Sequence, residues 1–467
     1  IPWDKGNFLD EHGEPLSSQP QDWGLSVIAS DFNGDGLMDF YVCNDFWSPD
    51  RLWLNLGNTK FKLLDTNAWR NSSASSMGID LADLNGDGYQ EFFVLDMLSR
   101  DPVMRKMQKH AQSPLIQKPS PLTTRPQFLR NTLYRNLQGK QFQELAYYSG
   151  LQASDWSWAP IFLDINLDGL SDLIITAGHA HDVQDYDASR AVQKLQKPRP
   201  DSLSGNEIKK LYTEEMIRHN RMYPDLDMPF ISFMNKGHFK FVEKTGEWTA
   251  SSKSIRHGMA KADFDLDGDL DLVISCLNSE VELHENTGQG ERIAVKLQSN
   301  KYNSNAIGAT LTLEWPGLVN QFREIRSGGP YLSGNQSLVC FAAPNSTSGK
   351  TLKGELLVRW PSGKVSKHNN IEPGNLYHIT EGNLDYVSPS KTEEADSLME
   401  DYSDLISRHV VPESDFNDFL NQPLKPYRTT RRGPGISWGD IDGDGNNDLF
   451  VGDSQVGKPS IFFNKGG

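Results

Sequence analysis

The sequence predicts an all-β chain assembled from repeats of a four-stranded unit. Three observations lead there. An acidic nine-residue loop occurs five times; each copy runs into a short apolar stretch of β-prone residues; and four of the five are followed by an alternating strand closed by an Asn/Gly turn. Runs of this length and type read as buried strands, and the Asn/Gly turns read as hairpins.

The units can be taken in chain order. Gly24-Leu25-Ser26-Val27-Ile28-Ala29 leads into the loop Asp31, Asn33, Asp35, Gly36, Leu37, Asp39, then Phe40-Tyr41-Val42 and the hairpin Arg51–Gly57. Met77–Ala82 leads into Asp83, Asn85, Asp87, Gly88, Tyr89, Glu91, then Phe92-Phe93-Val94 and the hairpin at Thr132–Asn136. Trp158–Leu163 leads into Asp164, Asn166, Asp168, Gly169, Leu170, Asp172, then Leu173-Ile174-Ile175 and the hairpin Ile231–Gly237. His257–Ala262 leads into Asp263, Asp265, Asp267, Gly268, Asp269, Asp271, then Leu272-Val273-Ile274. Gly435–Gly439 leads into Asp440, Asp442, Asp444, Gly445, Asn446, Asp448, then Leu449-Phe450-Val451 and the hairpin Ile461–Gly466. Four short strands per repeat indicate a β-propeller, which removes strand edges by radial repetition.

The loops carry chemistry beyond turning. Oxygen-bearing side chains stand at positions 1, 3, 5 and 9, with glycine at 6, as a hard divalent cation requires. Position 7 (Leu37, Tyr89, Leu170, Asp269, Asn446) would offer its backbone carbonyl, which leaves the Asp269 side chain to point outwards. The first half matches an EF-hand loop, but an EF-hand closes with Glu at position 12 and enters a helix. The expected ion is Ca2+, at about five sites. Asn33, Asn85 and Asn166 replace a charge with a neutral oxygen, so the first three loops are expected to bind more weakly than the last two, and Glu91 is expected to make a looser site.

Loop spacing sets the organisation. Residues 1–290 read as about four blades, with insertions at 99–127 and 181–228; the second insertion contains an expected surface helix from Glu207 to Ile217. Long insertions are candidate binding elements. Residues 291–383 lack the loop and read as a separate small β domain. Residues 384–425 are acidic and read as a linker with a weak helix near Ala395–Ile406, and 426–467 as the first blade of a second propeller.

Composition narrows the function. A net charge of −16 argues against nucleic acid, and seventeen carboxylates at ligand positions account for much of it. No apolar run is long enough to cross a membrane as a helix. Cys43, Cys276 and Cys340 have no metal or redox spacing. No His-Glu-x-x-His or P-loop is present, and no catalytic residues are assigned. His179 and His181 form an isolated His-x-His, and Asp155-Trp156-Ser157-Trp158 offers aromatic surface for a sugar, although Trp158 is expected to pack inside its blade.

The loops resemble FG-GAP/VCBS repeats, the blades of integrin-α-like seven-bladed propellers. Asn305–Ala309, Arg326–Ser333 and Val358-Arg359-Trp360-Pro361-Ser362-Gly363-Lys364 resemble the ASPIC/UnbV domain, with Phe341-Ala342-Ala343-Pro344 departing from its usual Phe-Gly-Leu-Gly turn. The whole is similar to the bacterial family related to cartilage acidic protein. The resemblance implies further blades before Ile1, a fragment of a longer secreted or cell-surface chain, calcium in the loops, and a non-catalytic scaffold that binds an extracellular protein or glycan. The alternative is a secreted polysaccharide lyase or hydrolase on the same frame.

Overall fold

The computed structural model describes residues 7–10, 12–15, 22–46, 48–108, 125–195, 205–249, 252–299, 302–328, 330–344, 352–381, 383–387, 399–401, 403–406, 435–452 and 458–466. Strands dominate. The first sheet runs Gly24–Ser30, Asp39–Asn44, Arg51–Asn55 and Lys60–Leu63, with Asn7–Leu9 added in parallel at its outer edge. The second is Ile79–Ala82, Glu91–Val94, Thr132–Leu137 and Gln141–Glu144. The third is Ser157–Leu163, Asp172–Ala177, Ile231–Asn235 and Phe241–Glu243. Each is the antiparallel meander expected of a propeller blade.

Neighbouring sheets meet at their first strands: Gly24–Ser30 touches Ile79–Ala82, which touches Ser157–Leu163, which touches Arg256–Ala262. Crowding at this inner edge explains the small residues there. A Cβ on Gly78 would lie 2.2 Å from the carbonyl oxygen of Trp158, so only glycine permits the approach. Between sheets lies apolar packing. Tyr41, Trp69, Phe92 and Tyr134 fill the space between the first two, and Phe93, Phe162, Ile174 and Ile274 belong to the next layer. Burial of such side chains is the main stabilising term, at roughly 1.5–3 kcal/mol each.

The fourth sheet differs from its expected form. Its first three strands are local (Arg256–Ala262, Asp271–Cys276, Glu282–Asn286), but its outer strand is Met399–Asp401, more than a hundred residues on. A 3-10 turn, Ser403–Ile406, follows, and Ile406 is buried in the adjoining core. Residues 399–401 of the stretch read as a linker therefore complete a blade, while 395–398 and 402 of its expected helix, and 407–425, lie outside the described residues. The weak-helix expectation fails because strand Glu282–Asn286 offers an open edge, whose hydrogen bonds outweigh a marginal helical propensity.

The unit expected within 426–467 forms the strands Ile436–Gly439, Asp448–Val451 and Ser460–Phe462. It sits directly beside the fourth sheet. Ile436, Leu449 and Val451 share one core with Ala260, Val273 and Leu283, so this blade continues the same row. A single blade cannot bury its own faces, and the fourth sheet supplies the missing surface.

The small β domain expected at 291–383 extends to Val387, into the stretch read as a linker, and forms a sandwich of two sheets: Arg292–Gln298, Leu338–Ala342, Asn375–Thr380 and Asn383–Val387 against Thr310–Glu314, Gln321–Glu324, Gly354–Arg359 and Val365–Ile371. Its core includes Val295, Leu311, Trp315, Phe341 and Trp360. It does not stand apart. Arg326 pairs with Asp80 at 3.1 Å, Tyr331 packs against Trp158, and Ser333–Gly334 runs parallel to Ile436–Ser437 as an extra strand of the fifth sheet.

Candidate metal sites

All five loops fold to one hydrogen-bond scheme. The position-1 carboxylate accepts backbone N–H groups from later in its own loop: Asp31 from Gly34 and Gly36 (2.7 Å each), Asp83 from Gly86 and Gly88 (2.7 and 2.8 Å). Asp164 accepts from Gly169 (2.8 Å), Asp263 from Gly268 (3.1 Å) and Asp440 from Gly445 (3.0 Å). Position 3 accepts the N–H of position 5, as in Asp87 to Asn85 at 3.0 Å, and position 5 accepts that of position 7, as in Tyr89 to Asp87 at 3.0 Å. Alternate side chains are thereby turned to one side, as a cation site needs.

The position-9 acid has a second task. One oxygen accepts the N–H of loop position 2: Phe32 to Asp39 (3.0 Å), Leu84 to Glu91 (2.9 Å), Ile165 to Asp172 (3.1 Å), Phe264 to Asp271 (2.9 Å) and Ile441 to Asp448 (2.8 Å). The other accepts the N–H of the hairpin asparagine of the same blade: Asn55 (2.7 Å), Asn136 (3.4 Å), Asn235 (2.8 Å), Asn286 (2.8 Å) and Asn464 (3.0 Å). Thus the two recurrent sequence signatures are the two halves of one staple. The fourth copy, Glu285-Asn286-Thr287-Gly288, escapes a reading based on aromatic alternation, though its Asn-x-Gly was visible.

Burial makes these acids expensive as isolated charges. It pushes Asp39 up to about 7, Asp164 to about 7, Glu91 to about 9 and Asp263 to about 8, and raises Asp83, Asp172 and Asp271 as well. A bound cation favours the charged forms, and the donor set is hard oxygen throughout. Among the described residues, two trios of acids bring one oxygen each to within 4.8 Å of one another: Asp263, Asp265 and Asp267, and Asp440, Asp442 and Asp444. The residues present therefore fit Ca2+ or a similar ion.

The last two loops hold something the sequence did not announce. In the fourth, the guanidinium of Arg292 pairs with the Asp267 carboxylate, lies 3.4 Å from Asp269, and donates to the Asp267 carbonyl at 3.2 Å. Asp269, expected to point outwards, is 1% exposed and faces Arg292. In the fifth loop Lys465 pairs with Asp442 and lies 3.5 Å from Asp444. In the first three loops the position-3 amide bridges to position 5 instead: Asn33 to Asp35 (2.9 Å), Asn85 to Asp87 (2.8 Å) and Asn166 to Asp168 (3.0 Å).

The other singled-out residues lie elsewhere. Trp158 is buried and donates to the Gly178 carbonyl at 2.7 Å. His179 stacks on Trp156 at 4.1 Å, and burial lowers its pKa to about 4. Its Nδ1 lies 2.6 Å from the His181 carbonyl, within hydrogen-bonding distance.

Comparison with known families matches residues 6–94 to the FG-GAP-like repeat and residues 299–385 to the ASPIC and UnbV domain. No curated protein sequence matches the chain. Among solved structures, an Agrocybe aegerita lectin specific for non-reducing terminal N-acetylglucosamine aligns at a TM-score of 0.31 and 11% identity, covering 95% of this chain and 81% of that one. At that score the likeness carries no argument.

Proposed function

We propose that this chain, which carries an FG-GAP-like repeat and an ASPIC/UnbV domain, is a calcium-stabilised, non-catalytic binding scaffold of the extracellular space or cell surface. The observation that carries the reading is the single hydrogen-bond scheme repeated in five loops, each turning acidic oxygens to one side and each stapled to its own hairpin. Positions 1, 3, 5 and 9 would hold the ion, with position 7 lending its carbonyl and the position-9 acid serving the staple as well. Calcium would supply charge neutralisation, and the protein supplies the turn, the spacing and the staple that passes the gain in order to the blade.

The expected gain is large. Extracellular calcium is millimolar, and a site binding a hundredfold more tightly than that contributes about 2.7 kcal/mol by mass action. Typical domain stability is only about 5–15 kcal/mol. Thermal melts across an EGTA titration test the reading: the melting temperature falls as calcium is removed and returns when it is restored. An unchanged melting temperature defeats it. A reducing-end release assay on polysaccharides separates binding from turnover, and the scaffold reading expects no release.

A further inference from the structure

The described parts of the two insertions, far apart in sequence, converge on one cleft; 109–124 and 196–204 lie outside the described residues. Ser99–Gln108 comes from the first and Asp182 and Asp225–Pro229 from the second, with Asp155-Trp156 at the start of the third sheet. The cleft holds about 700 Å3, within the range of ligand sites. It lies at the end of the sheets opposite the cation loops: Ser157 pairs with Ala177 at the cleft end, whereas Leu163 pairs with Asp172 at the loop end.

Its walls are built, not draped. Leu226 and His179 exchange backbone hydrogen bonds (3.0 and 3.1 Å), and Met228 and Ser254 do the same at 3.1 Å. Gly178 at φ +120 lets these segments close: a Cβ there would lie 3.0 Å from the carbonyls of Leu226 and Ser254. The short helix Pro102–Met107 is capped by Asp101 and tied down by Arg105, which donates to the Ser99 carbonyl at 2.8 and 3.0 Å.

The lining has two characters. Met104, Leu226, Met228, Pro102 and Pro229 give an apolar floor with two adaptable thioethers beside Trp156. The charged groups are Asp101, Asp155, Asp182, Asp225 and Asp227 against Arg100 and Lys253. Arg100 and the buried Asp155 pair at 2.8 Å, Arg100 also meets Glu243, and Asp182 is buried, so the exposed rim is Asp101, Asp225 and Asp227, with His181 3.8 Å from Asp225, against Lys253. Asp225 and Asp227 are exposed. His179 covers one face of the Trp156 ring, which works against the stacked platform a sugar prefers. An acidic rim over an apolar, methionine-lined floor suits lysine or arginine beside apolar side chains.

We propose that this cleft is the partner-binding site of the scaffold and that its occupant is a basic, apolar segment of another protein. The proposal deepens the scaffold reading and rests on it for the existence of a partner. Its test is fluorescence anisotropy with a fluorescein-labelled Leu-Lys-Leu-Arg-Leu peptide, in millimolar calcium. Saturable binding is expected, weakened at least tenfold by Asp225→Asn/Asp227→Asn and by added salt, and unchanged by Glu314→Gln/Glu355→Gln in the sandwich. Both substituted aspartates are exposed, so the variant folds, as its melting curve will verify. Absence of saturable binding overturns the proposal. So does equal weakening by both double variants, or preference for a Glu-substituted peptide or for chitotriose. Calcium-dependent melting with no peptide binding would overturn this proposal while leaving the calcium scaffold intact.

Discussion

The first three acidic loops and the fourth answer the same electrostatic problem in different ways. Each of the first three has an asparagine at position 3, whose amide bridges to the position-5 aspartate, so charge is low and the compensation is local. The fourth has aspartate at positions 1, 3, 5, 7 and 9, and buries four of the five. Its compensation comes from outside: Arg292, at the start of the first strand of the sandwich, reaches back into the loop. A carboxylate count alone ranks the fourth loop as the tightest calcium site. The structure adds a tethered cation that must share those carboxylates with any metal. Loop four is thereby also a joint between the blade row and the sandwich.

The largest expected effect is Asp267→Ala. It leaves the Arg292 guanidinium short of its main partner in a half-buried setting, where breaking a pair from one side costs about 3–5 kcal/mol. Asn85→Ala removes an exposed bridge and should cost about 1 kcal/mol. Urea unfolding in calcium and in EGTA will show the difference in both conditions; equal losses would erase the distinction between the loops.

Next is Arg292→Gln, which removes the competitor. Calorimetric titration should show one site, lost in an Asp265→Asn background, tightening by about tenfold, or about 1.4 kcal/mol. An unchanged or weaker site would mean that Arg292 supports the ion and does not compete with it.

The third effect is a slope against pH and not a single step. Burial, followed by the neighbouring Asp267 and Asp265 charges, raises Asp263 from 3.8 to about 8 in the folded chain. Without calcium its contribution to stability is therefore fully present below about pH 4 and is lost as pH rises toward 8. Asp263→Asn should flatten the stability curve in EGTA between those limits, by no more than about 1.4 kcal/mol per pH unit. Parallel curves for the two proteins would show that Asp263 does not titrate there.

Much of the blade architecture was legible because its signals are local. The nine-residue loop, its glycine and the apolar run after it lie within fifteen residues, and period-two alternation marks the hairpins. The surface helix in the second insertion forms as Gly205–Asn220 for the same reason. What failed to show was set by distant partners. Met399–Asp401 becomes a strand because Glu282–Asn286 has an open edge. The fifth blade joins the first row because Ala260, Val273 and Leu283 need covering.

The sequence by itself determined the repeat, the all-β class and the placing of acidic oxygens two residues apart. Short-range sterics and alternation are enough to fix those. Only the tertiary structure decided that Arg292 would enter the fourth loop, that each position-9 acid would hold its hairpin asparagine, and that both insertions would wall a single cleft. Those outcomes depend on which surfaces meet once apolar faces are buried, and no window along the chain encodes that meeting.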